Sequence, residues 1–264
     1  MKNKLLLLFM AVTCLATSCF NLTEEYFFNA DKSGRYVMTF DLTRMMTTGM
    51  GRQSFEKQRD SLIAIGAPLV IDSTFSLLAR EPDSVRQLIN NPEIFEQCSG
   101  RMLLDYDKKQ MLVQMIFNFK DLPELRLIQA EWQAYQRLKD SLKSGTPGVE
   151  NTASDLPSTD GLQGFASEKI PEMSFDGKRF SMAYQFMPNS ESDYNEMLND
   201  DSAFVRNMLK SLKYNLVFHF PEQVKKADGE GFVVEGKTVS YKSDFFNLLK
   251  FKDSPMKLDV KLAK

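Results

Sequence analysis

The 264-residue chain predicts an α+β fold in which antiparallel β-sheet is packed by two or three amphipathic helices. Three observations carry this expectation. Short runs alternate apolar and polar residues with period two, as strands with one buried face do. One long stretch instead repeats its apolar residues every three or four positions. Polar clusters containing Gly, Asp, Asn and Lys separate successive runs, as hairpin turns would.

The first hairpin runs through Glu24 to Asn29, turns at Ala30 to Gly34 and returns over Arg35 to Leu42, with Tyr36, Met38, Phe40 and Leu42 on one face. Gln53 to Ile65 is helix-prone, and Pro68 to Leu78 is extended. Asp83 to Gln97 reads as helix with a break at Pro92, because proline pushes the residue before it out of the helical region. A second hairpin follows: Arg101 to Tyr106, a turn at Asp107 to Lys109, then Gln110 to Phe119 with Met111, Val113, Met115, Phe117 and Phe119 alternating. It feeds the best helix in the chain. Asp121 can cap its first turn, Glu124 stands at the capping-box position, and Leu125, Ile128, Trp132, Tyr135, Leu138 and Leu142 form one apolar face.

Pattern vanishes from Ser144 to Gly164, where small and polar residues dominate. Such a segment buries too little apolar surface to offset its ordering entropy, so a flexible polar insertion is expected over 144–169. Lys178 to Met187 reads as a strand with Phe180, Met182, Tyr184 and Phe186 inward. Tyr194, Met197, Leu198, Phe204, Val205, Met208 and Leu209 have helical spacing. The remainder reads as strands over Tyr214 to Phe220, Gly231 to Gly236, Lys237 to Lys242 and Met256 to Leu262.

At the amino end, Lys2 and Lys4 precede an apolar run from Leu5 to Leu15, and small residues lead to Cys19. The pattern is that of a bacterial lipoprotein signal. Ala16 stands where leucine is usual, and the segment resembles the looser lipoboxes of the Bacteroidota. That resemblance implies a leader over 1–18, lipidation of Cys19 by a thioether-linked diacylglycerol and an N-acyl chain, and a tether over 19–23 before a domain spanning 24–264. Several acyl chains hold a protein stably where one binds reversibly. The alternative is an ordinary secretory leader cut at the same bond, since Ala16 and Ser18 also satisfy its small-residue rule. Glu24 and Glu25 lie near the position where surface-exported lipoproteins often carry acids. The expected address is the cell envelope, at the outer membrane, with neither face singled out.

A formal net charge of −2, without a basic block, gives no basis for nucleic-acid binding. No later apolar run approaches the roughly 20 residues of a membrane span, so the membrane partner is expected to be met through Cys19. Of the three cysteines, Cys14 leaves with the leader and Cys19 is acylated. Cys98 then has no partner in the mature chain, which excludes an internal disulfide, a CxxC redox pair and a cysteine zinc cluster. It reads as a small apolar residue at a helix end.

Candidate chemistry is sparse. The single histidine, His219, falls on the strand face opposite Tyr214, Leu216, Phe218 and Phe220, where an exposed or edge position is expected. No Gly-x-Ser-x-Gly elbow, phosphate loop, dinucleotide turn or HExxH helix accompanies it. Asp105 with Asp107, or Asp200 with Asp201, could supply paired carboxylates for glycoside hydrolysis, but both pairs fall at turns or caps. Met45, Met46 and Met50 raise copper handling, against core filling by most other methionines. Asp-Ser pairs at Ser61, Ser73, Ser84, Ser141 and Ser202 resemble a Bacteroidota O-glycosylation signal, and equally serve as turns and caps. No catalytic residue, metal or cofactor is assigned.

The run from Glu25 to Tyr36, the junction from Phe117 to Leu125, and the closing stretch from Tyr214 to Val224 with Asp228-Gly229 and Gly236 to Tyr241 resemble LppM-domain envelope proteins and related Bacteroidota lipoproteins. This resemblance implies an α+β envelope domain with no established chemistry. Many members carry a C-terminal membrane segment, which this chain lacks. Two functions follow as expectations. The first is a non-enzymatic, lipid-anchored protein binding an envelope partner protein or an apolar envelope ligand. The second is an envelope hydrolase of glycans or lipids using paired carboxylates.

Overall fold

The computed structural model describes residues 21–47, 49–78, 83–144, 170–186 and 211–263. Cys19, the insertion expected over 144–169 apart from its first residue, Asp200 with Asp201 and the helical stretch around Tyr194 to Leu209 lie outside them.

Strands β1 (Asn21–Phe28) and β2 (Gly34–Asp41) form the first hairpin, with Tyr26 opposite Tyr36. Gly34 is required where the hairpin closes. A Cβ there would collide with the Phe27 carbonyl oxygen and the Phe119 ring. The sheet continues from β2 to β5 (Gln110–Phe119), β4 (Cys98–Asp105) and the edge strand β3 (Val70–Ser76). On its other flank β1 meets β8 (Lys213–His219), then β11 (Thr238–Asp244) and β10 (Phe232–Glu235). The eight strands thus run in the order β10-β11-β8-β1-β2-β5-β4-β3.

The β1–β8 pair is parallel, with Tyr26 beside Phe218. The large sheet is therefore mixed, which corrects the expectation of purely antiparallel sheet. A hairpin forces its strands antiparallel, but a strand returning after a long excursion is under no such constraint. The second sheet is antiparallel, in the order β6 (Glu172–Phe175), β7 (Arg179–Tyr184), β12 (Met256–Leu262), β9 (Val224–Asp228).

The first helices are α1 (Thr43–Thr47) and α2 (Gly49–Ala64), and the latter packs Phe55 on Tyr106 with ring centroids 4.8 Å apart. The helix expected over 83–97 shrinks to α3 (Asp83–Arg86) and a 3₁₀ turn, Pro92–Gln97. Proline has no N–H to continue a helix and opens this tighter turn instead.

Helix α4 (Leu122–Ser144) begins as its sequence requires. The Glu124 N–H donates to Asp121 Oδ1 at 2.8 Å, and Glu124 Oε2 accepts from the Lys120 N–H at 2.6 Å. Leu125, Ile128 and Tyr135 are buried, and Trp132 stands edge-on to Phe117. Between the sheets Phe28, Phe180, Phe218 and Phe220 interlock at centroid distances of 5.0 to 5.7 Å. Each buried ring of this kind is worth about 1.5–3 kcal/mol of transfer free energy. Helix α5 (Phe245–Leu248) follows β11 and is capped by Asp244, whose Oδ1 accepts from the Asn247 N–H at 2.8 Å.

Two boundaries differ from expectation. Strand β1 begins at Asn21 with Leu22 buried, so the ladder takes up residues that the sequence reading gave to a tether ending at position 23. Glu24 stands inside the protein rather than on a surface leader, because the period-two face that buries Leu22, Tyr26 and Phe28 includes it.

Candidate functional site

Three groups of polar residues stand out, and they differ in access. The innermost surrounds Glu24, of which 5% is exposed. Tyr36 donates to Glu24 Oε2 at 2.9 Å, Tyr26 to the same oxygen at 3.4 Å, and Tyr214 to Oε1 at 3.2 Å. The register explains the convergence. Tyr26 faces Tyr36 across β1–β2, and Leu22 lies beside Tyr214 across β1–β8, so both partner tyrosines sit diagonally to Glu24. Burial raises the Glu24 pKa, against the lowering effect of hydrogen bonds from Tyr36, Tyr214 and Tyr26. Burial first and the Glu24 charge second push Tyr26, Tyr36 and Tyr214 well above the ordinary tyrosine range.

The second group lies on the opposite face of the same strands. His219 Nε2 is 3.2 Å from Glu25 Oε1, and its Nδ1 is 3.3 Å from the Thr238 hydroxyl. Phe27 stacks on the imidazole at 4.2 Å, and the Arg35 guanidinium covers Phe27. Strand β8 lies between β1 and β11, so His219 is in the middle of the sheet and not at its edge, with 31% of its side chain exposed. The hydroxyl, imidazole and carboxylate occur in triad order. They lie on a ladder in which β8 is paired with β1 on one side and β11 on the other, so the backbone N–H groups of β8 are committed to its neighbours.

The third group forms a cleft of about 1020 Å³ between the end of β11, helix α5, the start of β12 and the β9–β10 turn. Lys242, Lys250 and Lys257 line it together with Asp228, Glu230 and Asp244. Tyr241 lies between Phe232 and Phe251, at centroid distances of 5.4 and 6.0 Å, and both it and Phe251 line the cleft. Two glycines shape the wall. Gly231 has φ of 79° and would drive a Cβ to 2.9 Å from the Tyr241 ring, while a Cβ at Gly229 would lie 2.7 Å from the Lys257 carbonyl oxygen. Beside the cleft runs β10, which among the described residues pairs only with β11, with Val233 and Val234 exposed.

The sequence-selected residues distribute as follows. Cys98 caps the C-terminal end of the 3₁₀ turn Pro92–Gln97, as its helix-end reading expects, and opens β4. It is buried against the Ile94 carbonyl oxygen at 3.4 Å, and burial pushes its thiol pKa up to about 12. Asp105 is buried, and the Lys108 N–H donates to it at 2.8 Å, which lowers its pKa, while Asp107 is exposed in the following turn. They do not form an acid–base pair. The Ser61 and Ser141 hydroxyls donate back to the carbonyls of Lys57 and Leu138 within their helices. Ser73 lies half-buried in β3. No cluster of metal-ligating side chains occurs among the described residues.

Sequence reasoning missed Glu24 as a core residue and the cleft altogether. The signal for Glu24 was present, since Leu22, Tyr26 and Phe28 share its alternation. The cleft combines segments from residue 213 to 257 whose proximity no local pattern encodes.

No family model matches the chain, and no curated protein matches it. Among solved structures, the chain is similar to the NMR structure of the folded domain of Mycobacterium tuberculosis LppM, at 9% identity over 94% of this chain and 92% of that one, with a TM-score of 0.36. That likeness is to a distant LppM-like fold, and at this TM-score it carries no argument about function. No helix among the described residues is long and apolar enough to cross a membrane.

Proposed function

We propose that the chain is a non-catalytic binding protein of the cell envelope, held at the outer membrane by acyl chains on Cys19, whose partner is a polypeptide docked along β10 and over the adjoining cleft. The observation that carries the binding reading is the β10 edge, unpaired among the described residues, with Val233 and Val234 exposed beside a cleft lined by both signs of charge. An open edge offers backbone donors and acceptors to an added strand, and side-chain pockets beside it select the partner. A polypeptide suits this surface better than an apolar ligand does, because charged side chains of both signs surround Tyr241 and Phe251 in the cleft, while the Phe28, Phe180, Phe218 and Phe220 rings fill the space between the sheets.

The non-catalytic reading is supported by where the chain spends its titratable groups. Glu24 is enclosed by tyrosines, Asp105 is held by its own turn, and Asp244 caps a helix. The Thr238, His219 and Glu25 chain favours hydrolysis only by its order along one line. A photoreactive amino acid at Val233 in the full chain, irradiated in its own membrane, should crosslink to one protein, and Val234→Lys should abolish that adduct. Crosslinking to lipid alone, or an adduct indifferent to Val234→Lys, would overturn the polypeptide reading.

A further inference from the structure

Among the described residues, four of the eight large apolar side chains that stand exposed fall within nine positions: Ile63, Ile65, Val70 and Ile71, with Ile65 76% and Ile63 55% open to solvent. Single exposed isoleucines are ordinary, whereas a group of exposed apolar residues spanning the end of α2, the turn after it and the start of β3 marks an interaction surface. The turn is built. The Ala67 N–H donates to the Leu62 carbonyl at 2.9 Å, Gly66 reverses the chain at φ of 67°, and the Tyr106 N–H donates to the Leu69 carbonyl at 2.9 Å.

Strand register places this turn. Asn21 lies opposite Asp41, Asp41 opposite Leu112, and Leu112 opposite Leu103. Val70 lies opposite Asp105, which pairs with Gln110, two residues farther out along β5. The start of β3 therefore projects beyond the row of Asn21 by ~7 Å. Cys19 precedes Asn21 by two residues, a reach of at most ~7 Å. Two residues of chain can therefore bring Cys19 to the level of the isoleucine tip at the same end of the sheet, across the four strand spacings from β1 to β3, or ~19 Å.

We infer that this end of the large sheet is a membrane-contact surface, in which the tip from Ile63 to Ile71 enters the apolar margin of the leaflet that holds the Cys19 acyl chains. The inference rests on the anchoring reading above. The partner is the apolar part of a lipid surface and not an anionic headgroup, because the nearby cations, the exposed Lys57 apart, stand beside carboxylates. Lys108 pairs with Asp105 at 3.3 Å, Lys109 with Glu56 at 3.8 Å, and Arg59 with Asp60 at 3.0 Å. Surface-seeking segments that depend on anionic lipid carry an excess of Lys and Arg instead. Two attachment points set the strands upright on the bilayer. The cleft then opens beside the leaflet, since Lys213 and Asp244 pair at the Asn21 end of the sheet.

The test uses the full chain purified from membranes and reconstituted into phosphatidylcholine vesicles with plain or brominated acyl chains. Tryptophan is placed at the tip by Ile65→Trp or in the opposite hairpin turn by Ala30→Trp, each read against the parent protein with its native Trp132. Ile65→Trp should shift its emission to the blue and lose intensity with brominated lipid, while Ala30→Trp should do neither. Protein that floats with the vesicles but leaves Ile65→Trp unquenched overturns the contact surface and leaves the anchor standing. A parent that does not float with vesicles overturns the anchoring reading and the surface with it.

Discussion

Glu24 keeps its carboxyl among three tyrosine hydroxyls, and burial, the largest influence on it, holds its pKa above the ordinary range. A raised carboxyl pKa means that the folded protein binds a proton the unfolded chain would release. The contribution of Glu24 to stability is therefore full below the ordinary glutamate range and is lost as pH rises through the raised value. Asp31, Asp72 and Asp176 run the other way. Their pKa values are lowered by hydrogen bonds from Ser33, from Arg101, and from the Arg179 and Lys178 N–H groups, so their contribution is lost as pH falls through those lowered values. Glu24→Gln should match the parent in acid and exceed it in urea midpoint by a margin that grows with pH. Glu24→Leu should lose about 3 kcal/mol or more, because three buried hydroxyls lose their acceptor at roughly 1–3 kcal/mol each. Equal pH profiles for parent and Glu24→Gln would contradict the cluster. The alternation of Glu24 with Leu22 and Tyr26 carried its inward direction, although its acidic character suggested an export signal instead. What the sequence could not disclose was that Tyr36 and Tyr214, 12 and 190 residues away, would meet Glu24 there.

At the scale of elements, legibility follows the length of the pattern. Strands β5 and β12 and helix α4 each repeat their period several times, and the structure places them where the sequence does. The Asp121 cap is a local signal of the same kind. Asp121→Ala should lower stability by about 1 kcal/mol, read from the urea midpoint, while Asp121→Asn should stay near the parent because its side-chain oxygen still accepts from the Glu124 N–H. Equal losses in the two variants would show that the charge and not the cap matters. Strands β6 and β9 escaped notice for a physical reason. Each has only four or five residues, and Lys225 and Lys226 of β9 face solvent, so burial leaves little trace in their composition. Strand β3 has a residue pattern that its edge position leaves mostly exposed, and its place was legible only as extended chain.

For the whole molecule, one topological fact organises the account. Chain entry at Asn21, the isoleucine tip before β3 and the cleft beyond β11 share one end of the large sheet. Attachment at Cys19 would bring all three to a membrane surface at once, and β10 would stand beside it as the open edge. None of this was legible from periodicity, because it depends on strand order, and the parallel β1–β8 pair fixes which end the last third of the chain returns to. The leader, by contrast, is an expectation that rests on a handful of residues ending at Cys19. Intact-mass and amino-terminal peptide analysis of protein extracted from its own membrane tests the central claim most directly. The account predicts a chain beginning at Cys19 that carries a diacylglyceryl thioether and an N-acyl chain, converted by Cys19→Ser into a product without lipid. A mature chain beginning at an unmodified Cys19, or one that retains residues 1–18, would contradict it.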